Sequence, residues 1–128
     1  MARDKQIKIL LVEDDPFLLS MYSTKFELEN FEVVAAADGE KGLVMAANTA
    51  PDIILLDIML PKMNGFEVLE KLKADRITAG IPVLLLTNLN QKNEVERGLA
   101  LGAEDYLIKA HFMPSEVVAR IKKILGIE

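Results

Sequence analysis

The sequence predicts a doubly wound α/β fold, a five-stranded parallel sheet with helices on both faces in the repeating order (βα)5. Three observations predict it. Five short apolar runs alternate with longer segments of helical period, the pattern of strands joined by crossover helices. The runs are mostly apolar throughout instead of alternating with polar residues, as strands buried on both faces are. Cap residues also follow the strand candidates where a helix should begin.

The strand candidates are residues 7–12, 31–36, Ile53–Leu56, 83–86 and 106–108. After the first, Asp15 and Pro16 read as N-cap and first helical position, and Phe17, Leu18, Met21, Tyr22 and Phe26 recur on one helix face. Asp38 caps a second helix to about Ala47, with Leu43 and Ala46 or Ala47 facing inward. Asn64 caps a third over Gly65–Ala74, where Phe66, Leu69 and Leu72 share a face. A fourth, over 91–101, presents Val95 and Leu99 and stops at Gly102. The fifth starts at Pro114, buries Val117, Val118, Ile121, Ile124 and Leu125, and ends at Gly126.

A chain of 128 residues is long enough for one core, so residues 1–128 read as a single domain with no internal repeat, linker or appended output domain. Its 51% hydrophobic and 27% charged content excludes disorder. No apolar run approaches the roughly 20 residues of a membrane helix, and the first residues resemble no export signal. With no Cys, disulfides and thiolate metal sites are excluded, and a cytoplasmic location is expected. Fifteen Lys plus Arg against twenty Asp plus Glu give a net charge of −5, a poor footprint for phosphate backbones. Neither nucleic acid nor a membrane is expected as a partner.

In open parallel sheets, ligands bind beyond the carboxyl ends of the strands. Strand one ends in Glu13, Asp14 and Asp15, strand three in Asp57, strand four in Thr87 and strand five in Lys109, whereas strand two ends in Ala36 and Ala37, as an edge strand away from a site would. Taken singly, each polar residue has a structural reading: Asp15 as a cap, Thr87 as an ordinary strand end, Lys109 as a solvated cation. Together they carry more. Carboxylates converging on one sheet edge repel one another unless a cation sits among them. Oxygen ligands without His or Cys favour a hard ion held partly by water, which points to Mg²⁺. A carboxylate nucleophile, Mg²⁺, a hydroxyl and an ammonium are the parts of phosphoryl transfer to aspartate.

Four stretches, ILLVEDDP at 9–16, IILLDIMLPKMNGF at 53–66, PVLLLT at 82–87 and GAEDYLIK at 102–109, strongly resemble the receiver domain of two-component response regulators, the CheY-like fold. The resemblance covers about Lys8 to Leu125 in order. It implies the flavodoxin-like strand order 2-1-3-4-5, with Asp57 as phosphoacceptor, Asp14 as a direct Mg²⁺ ligand, Glu13 as a ligand through water or hydrogen bonds, and the Met59 backbone carbonyl as a further ligand. By the same resemblance Thr87 is the hydroxyl that turns toward the phosphoryl group, Lys109 pairs with Asp57 and then with a phosphoryl oxygen, and Tyr106 is the switch aromatic whose rotamer follows Thr87. The face made by the fourth helix, fifth strand and fifth helix would then carry the output.

The sequence departs from the family pattern at Asn88, where a small residue is usual, and at Ala110, where Pro is usual after the Lys. The Lys109–Ala110 bond is expected to be trans, because a cis bond costs about 2.5 to 4 kcal/mol before a non-proline residue. Met59 and Leu89, at positions resembling the family's rate-tuning sites, offer no group to orient an attacking water, so a persistent phosphoryl group is expected. His111 reads as a surface residue, and Met59, Met63 and Met113 as loop packing.

The leading reading is a stand-alone signalling switch, not an enzyme acting on other molecules. It takes a phosphoryl group from a sensor histidine kinase or phosphotransfer protein and alters the face shown to a partner, as a monomer or a phosphorylation-dependent homodimer. A haloacid-dehalogenase-type phosphatase would need its nucleophile on the first strand in an Asp-x-Asp pattern, which 13–16 lacks. A docking or dimerisation receiver that works without phosphorylation, or a receiver cut from a larger regulator, remains the alternative.

Overall fold

The computed structural model describes residues 6–87, 92–108 and 114–127, apart from the side chains of Thr87 and Lys92. The elements follow in strict alternation: β1 (Lys8–Val12), α1 (Pro16–Leu28), β2 (Glu32–Ala36), α2 (Gly39–Thr49), β3 (Ile53–Leu56), α3 (Gly65–Ala74), β4 (Val83–Thr87), α4 (Lys92–Ala100), β5 (Asp105–Ile108) and α5 (Pro114–Leu125). The strands form one parallel sheet in the order β2-β1-β3-β4-β5, so the doubly wound architecture and the edge position of β2 are as expected.

Successive strand residues point to opposite faces, and here both faces are dry. Leu10, Val12, Ile54, Leu56 and Leu85 pack with Phe66, Leu69 and Leu72 of α3 on one side; Ile9, Leu11, Ile53, Leu55 and Leu84 pack with Tyr22, Phe26, Val117 and Ile121 of α1 and α5 on the other. Each such buried side chain contributes about 1.5 to 3 kcal/mol, which is why the strands carry no polar alternation. Asp15, Asp38 and Asn64 cap α1, α2 and α3 through their side chains. Gly102 and Gly126 take positive φ just beyond α4 and α5.

Some helix faces differ from the expectation. Phe17, in the first turn of α1, is 73% exposed, while Tyr22 and Phe26 further along are buried. In α2 it is Ala46 that faces the core, with Ala47 at the surface, and the helix runs two residues past the expected end. Leu99 of α4 is 46% exposed. Among the described side chains of that helix the buried position is Gly98, where a Cβ would overlap Leu85 Cδ1, so the helix backbone itself approaches the sheet. No described helix is long and apolar enough to cross a membrane.

Candidate metal centre

Register builds the site. Val12 pairs with Leu56 across β1 and β3, so the next residues, Glu13 and Asp57, leave the sheet side by side. The Asp57 amide donates to the Val12 carbonyl at 3.1 Å, continuing the ladder one step into the loop. One carboxylate oxygen from each of Glu13, Asp14 and Asp57 lies within 4.8 Å of the other two. Glu13 and Asp57 are buried and Asp14 is exposed, an arrangement open on the solvent side.

The third acidic residue of the run is used differently. Asp15 caps α1, its Oδ1 accepting from the amides of Phe17 at 2.9 Å and Leu18 at 3.4 Å, while its own amide donates to Glu13 Oε2 at 3.1 Å. The cap thereby holds Glu13 in place. On the other strand, the Met59 amide donates to Asp57 Oδ1 at 3.2 Å, so the loop after β3 steadies the central carboxylate. That loop turns tightly: the amides of Leu60 and Gly65 both donate to the Ile58 carbonyl, and that of Met63 to Pro61. Gly65 makes the turn possible, because a Cβ there would sit 2.5 Å from the Asp57 carbonyl oxygen. Asn64 and Glu67 then close a reciprocal capping box at the start of α3.

An oxygen-only donor set spanning 4.8 Å suits a hard divalent ion, whose first shell is about 4 to 5 Å across. The three carboxylates would hold such an ion, with the exposed side left for water or substrate oxygens. Met59 corrects the expectation of loop packing, since its side chain is 62% exposed; Met63 does pack against the core. Tyr106 lies half-buried against the same core cluster. Burial, and then the negative charge of Glu94, hold its hydroxyl above the usual phenol range. Thr87 ends β4, paired through its backbone with Ile108. Its side chain, together with Lys109, Asn88, Leu89, the Lys109–Ala110 bond, His111 and Met113, lies outside the described residues.

Sequence reasoning missed the far wall of the site. A cleft of about 600 Å³ opens beside the acidic cluster, lined by Asp14, Met59, Asn64 and Phe66 on one side and by Glu94 and Arg97 of α4 on the other. The Arg97 guanidinium stands over the Phe66 ring, 4.3 Å from its centroid. No spacing in the sequence signals that contact, which joins two helices separated by β4.

Comparison with known proteins bears on this geometry. Residues 9–122 match the family described as response regulator receiver domain. The chain is 42% identical over 118 residues to the DNA-binding dual master transcriptional regulator RpaA of Synechocystis, covering 92% of this chain and 48% of that protein. It is 40% identical over 115 residues to the DNA-binding response regulator MtrA of Mycolicibacterium smegmatis, covering 90% and 49%. The crystal structure of a CheY-like receiver domain protein from Methanospirillum hungatei superimposes with a TM-score of 0.88 at 31% identity, covering 95% of both chains. The chain thus spans about half the length of the curated relatives it matches. Their names overturn the expectation that nucleic acid is no partner. The charge of −5 describes the surface of these 128 residues, whereas those DNA-binding regulators are about twice as long.

Proposed function

The chain belongs to the response regulator receiver domain family, and from that premise we propose that it is the phosphoacceptor unit of a transcriptional regulator, receiving a phosphoryl group on Asp57 and passing the change to a DNA-binding unit. The observation that carries the reading is the convergence of Glu13, Asp14 and Asp57, with one oxygen of each within 4.8 Å of the others. Residues 1–128 act as one receiver domain in this reading. Receiver domains are signalling domains, and the only reactions assigned here are the domain's own phosphorylation and dephosphorylation.

An Asp57 oxygen attacks the phosphorus of a phosphohistidine on a sensor kinase or phosphotransfer protein. The new O–P bond forms as the P–N bond breaks and the imidazole leaves, giving an acyl phosphate. Glu13, Asp14, Asp57 and the Met59 carbonyl would hold Mg²⁺, which would supply charge compensation for the carboxylates and the entering phosphoryl oxygens. The Met59 amide orients Asp57 Oδ1, and the Asp15 amide orients Glu13. Thr87 and Lys109 take the phosphoryl oxygens through a hydroxyl and a charge-assisted hydrogen bond, as the family motif assigns them. Tyr106 relays the change to α4, β5 and α5. Met59 presents an exposed thioether beside the acceptor, with no group to activate water, which favours a long-lived phosphoryl group.

Incubation with phosphoramidate and Mg²⁺, read by intact mass, tests this reading. One added phosphoryl group is expected, lost on chelation and absent from Asp57→Asn. Robust labelling of Asp57→Asn would remove Asp57 from its assigned role, and an unlabelled wild type would favour a docking receiver.

A further inference from the structure

The amino end of α2 lies against the loop that joins β3 to α3, and the contact is made by backbone. Gly39 is buried; a Cβ there would overlap the carbonyl oxygen of Met63 and stand 2.8 Å from Val68 Cγ2. A carbonyl oxygen has no rotamer by which to move aside, so any side chain at 39 must displace the loop or the helix. Next to this contact Lys62, held at φ 69°, sets Nζ 3.9 Å from Asp38 Oδ2 and 4.0 Å from Glu40 Oε1. Asp38 keeps its other oxygen on the Lys41 amide at 2.8 Å, capping α2.

Between Met63 and the acidic cluster the chain has little slack. Met63 is bonded to Pro61 and Leu60 to Ile58, while Gly65 both bonds Ile58 and packs on the Asp57 carbonyl. Within that turn the Met59 amide touches Asp57 Oδ1. A displacement at Met63 is therefore passed to Met59 and Asp57, because interiors this closely packed do not absorb it.

We infer that Gly39, with the Asp38–Lys62 pair beside it, is a positioning element for the divalent cation at Glu13, Asp14 and Asp57, acting through the loop 57–65 without touching the ion. The inference rests on the metal reading given above and deepens it. The backbone contact carries most of the effect, since an ion pair at 3.9 Å with its Lys62 end exposed is weak. By linkage, cation binding is felt in return at the amino end of α2.

The test measures Mg²⁺ affinity by amide NMR titration and Mn²⁺ affinity by electron paramagnetic resonance, on the full chain. Gly39→Ala should bind both ions about ten-fold more weakly, the size typical of lost outer-shell support, while keeping a dispersed amide spectrum. Gly80→Ala, where an added Cβ meets nothing, should leave affinity unchanged. At saturating Mg²⁺ the labelling of Gly39→Ala by phosphoramidate should return to the wild-type level, because the defect is in ion occupancy. A cycle of Asp38→Asn, Lys62→Gln and the double variant separates position from charge. Long-range charge effects on ion affinity add, whereas a positioning pair gives a coupling of about two-fold. Wild-type ion affinity in a folded Gly39→Ala overturns the inference while leaving the metal reading intact. If Gly39→Ala does not fold, the cycle decides, and strict additivity overturns it. A wild-type protein that binds neither ion removes the metal reading and this inference with it.

Discussion

α3 buries Gly65, Phe66, Val68, Leu69 and Leu72 and closes its first turn with the Asn64–Glu67 box, whereas α4, on the opposite wall of the same cleft, buries Gly98 alone among the side chains described. Val95 is half-buried and Leu99 is 46% exposed. Among the described residues, α4 is held by the close approach at Gly98, the Arg97–Phe66 contact and the neighbourhood of Tyr106. The difference teaches how one site serves two needs. The wall that carries Asp57 and its loop stands on a deeply packed helix, and elements with few buried apolar contacts open first. By that rule α4 is expected to open before α3.

The largest expected effect breaks or upholds this contrast outright. Leu69→Ala, at a site with no exposure, should cost about 2 to 5 kcal/mol in urea unfolding, while Leu99→Ala should stay within about 1 kcal/mol. Equal losses would mean that α4 is packed as firmly as α3. A smaller effect sharpens the picture. Arg97→Gln removes a cation–π contact worth about 0.5 to 1 kcal/mol, so amide exchange in α4 should quicken by about two- to five-fold with α3 unchanged. Faster exchange in both helices would show that the contact supports Phe66 and the platform instead.

The smallest effect concerns Tyr106. Its folded hydroxyl titrates above the ordinary phenol value, by burial first and Glu94 second. A group whose folded pKa is raised contributes stability that is complete below the unfolded value, about 10, and is lost as pH rises through the folded one. Glu94→Gln should bring the Tyr106 midpoint part of the way down, read from its ring signals in an alkaline NMR titration. An unmoved midpoint would leave burial as the whole cause of the raised value.

The legible part of the molecule was the local part. The short apolar runs of 53–56 and 83–86 identified strands, and Asp15, Asp38 and Asn64 marked the helix starts that the structure uses. Of the candidate site, Glu13, Asp14 and Asp57 could be found because they stand in the first two positions after a strand, and strand ends share one edge in a parallel sheet. Phe17 was misplaced because helical period says which residues share a face but not how far along its length that face meets the sheet. Asp15 was read as a cap from the Pro16 that follows it, and the structure adds that its amide also holds Glu13.

By itself, then, the sequence determined five βα units, a dry two-faced sheet and an acidic sheet edge, all of which follow from strand and helix periods, caps and strand-end chemistry acting over a few residues. Only the tertiary structure decided the register that sets Val12 beside Leu56, the seating of α4, Arg97 over Phe66 and Gly39 against Met63. Those features depend on the height and rotation at which whole helices settle on the sheet, which packing between distant segments determines.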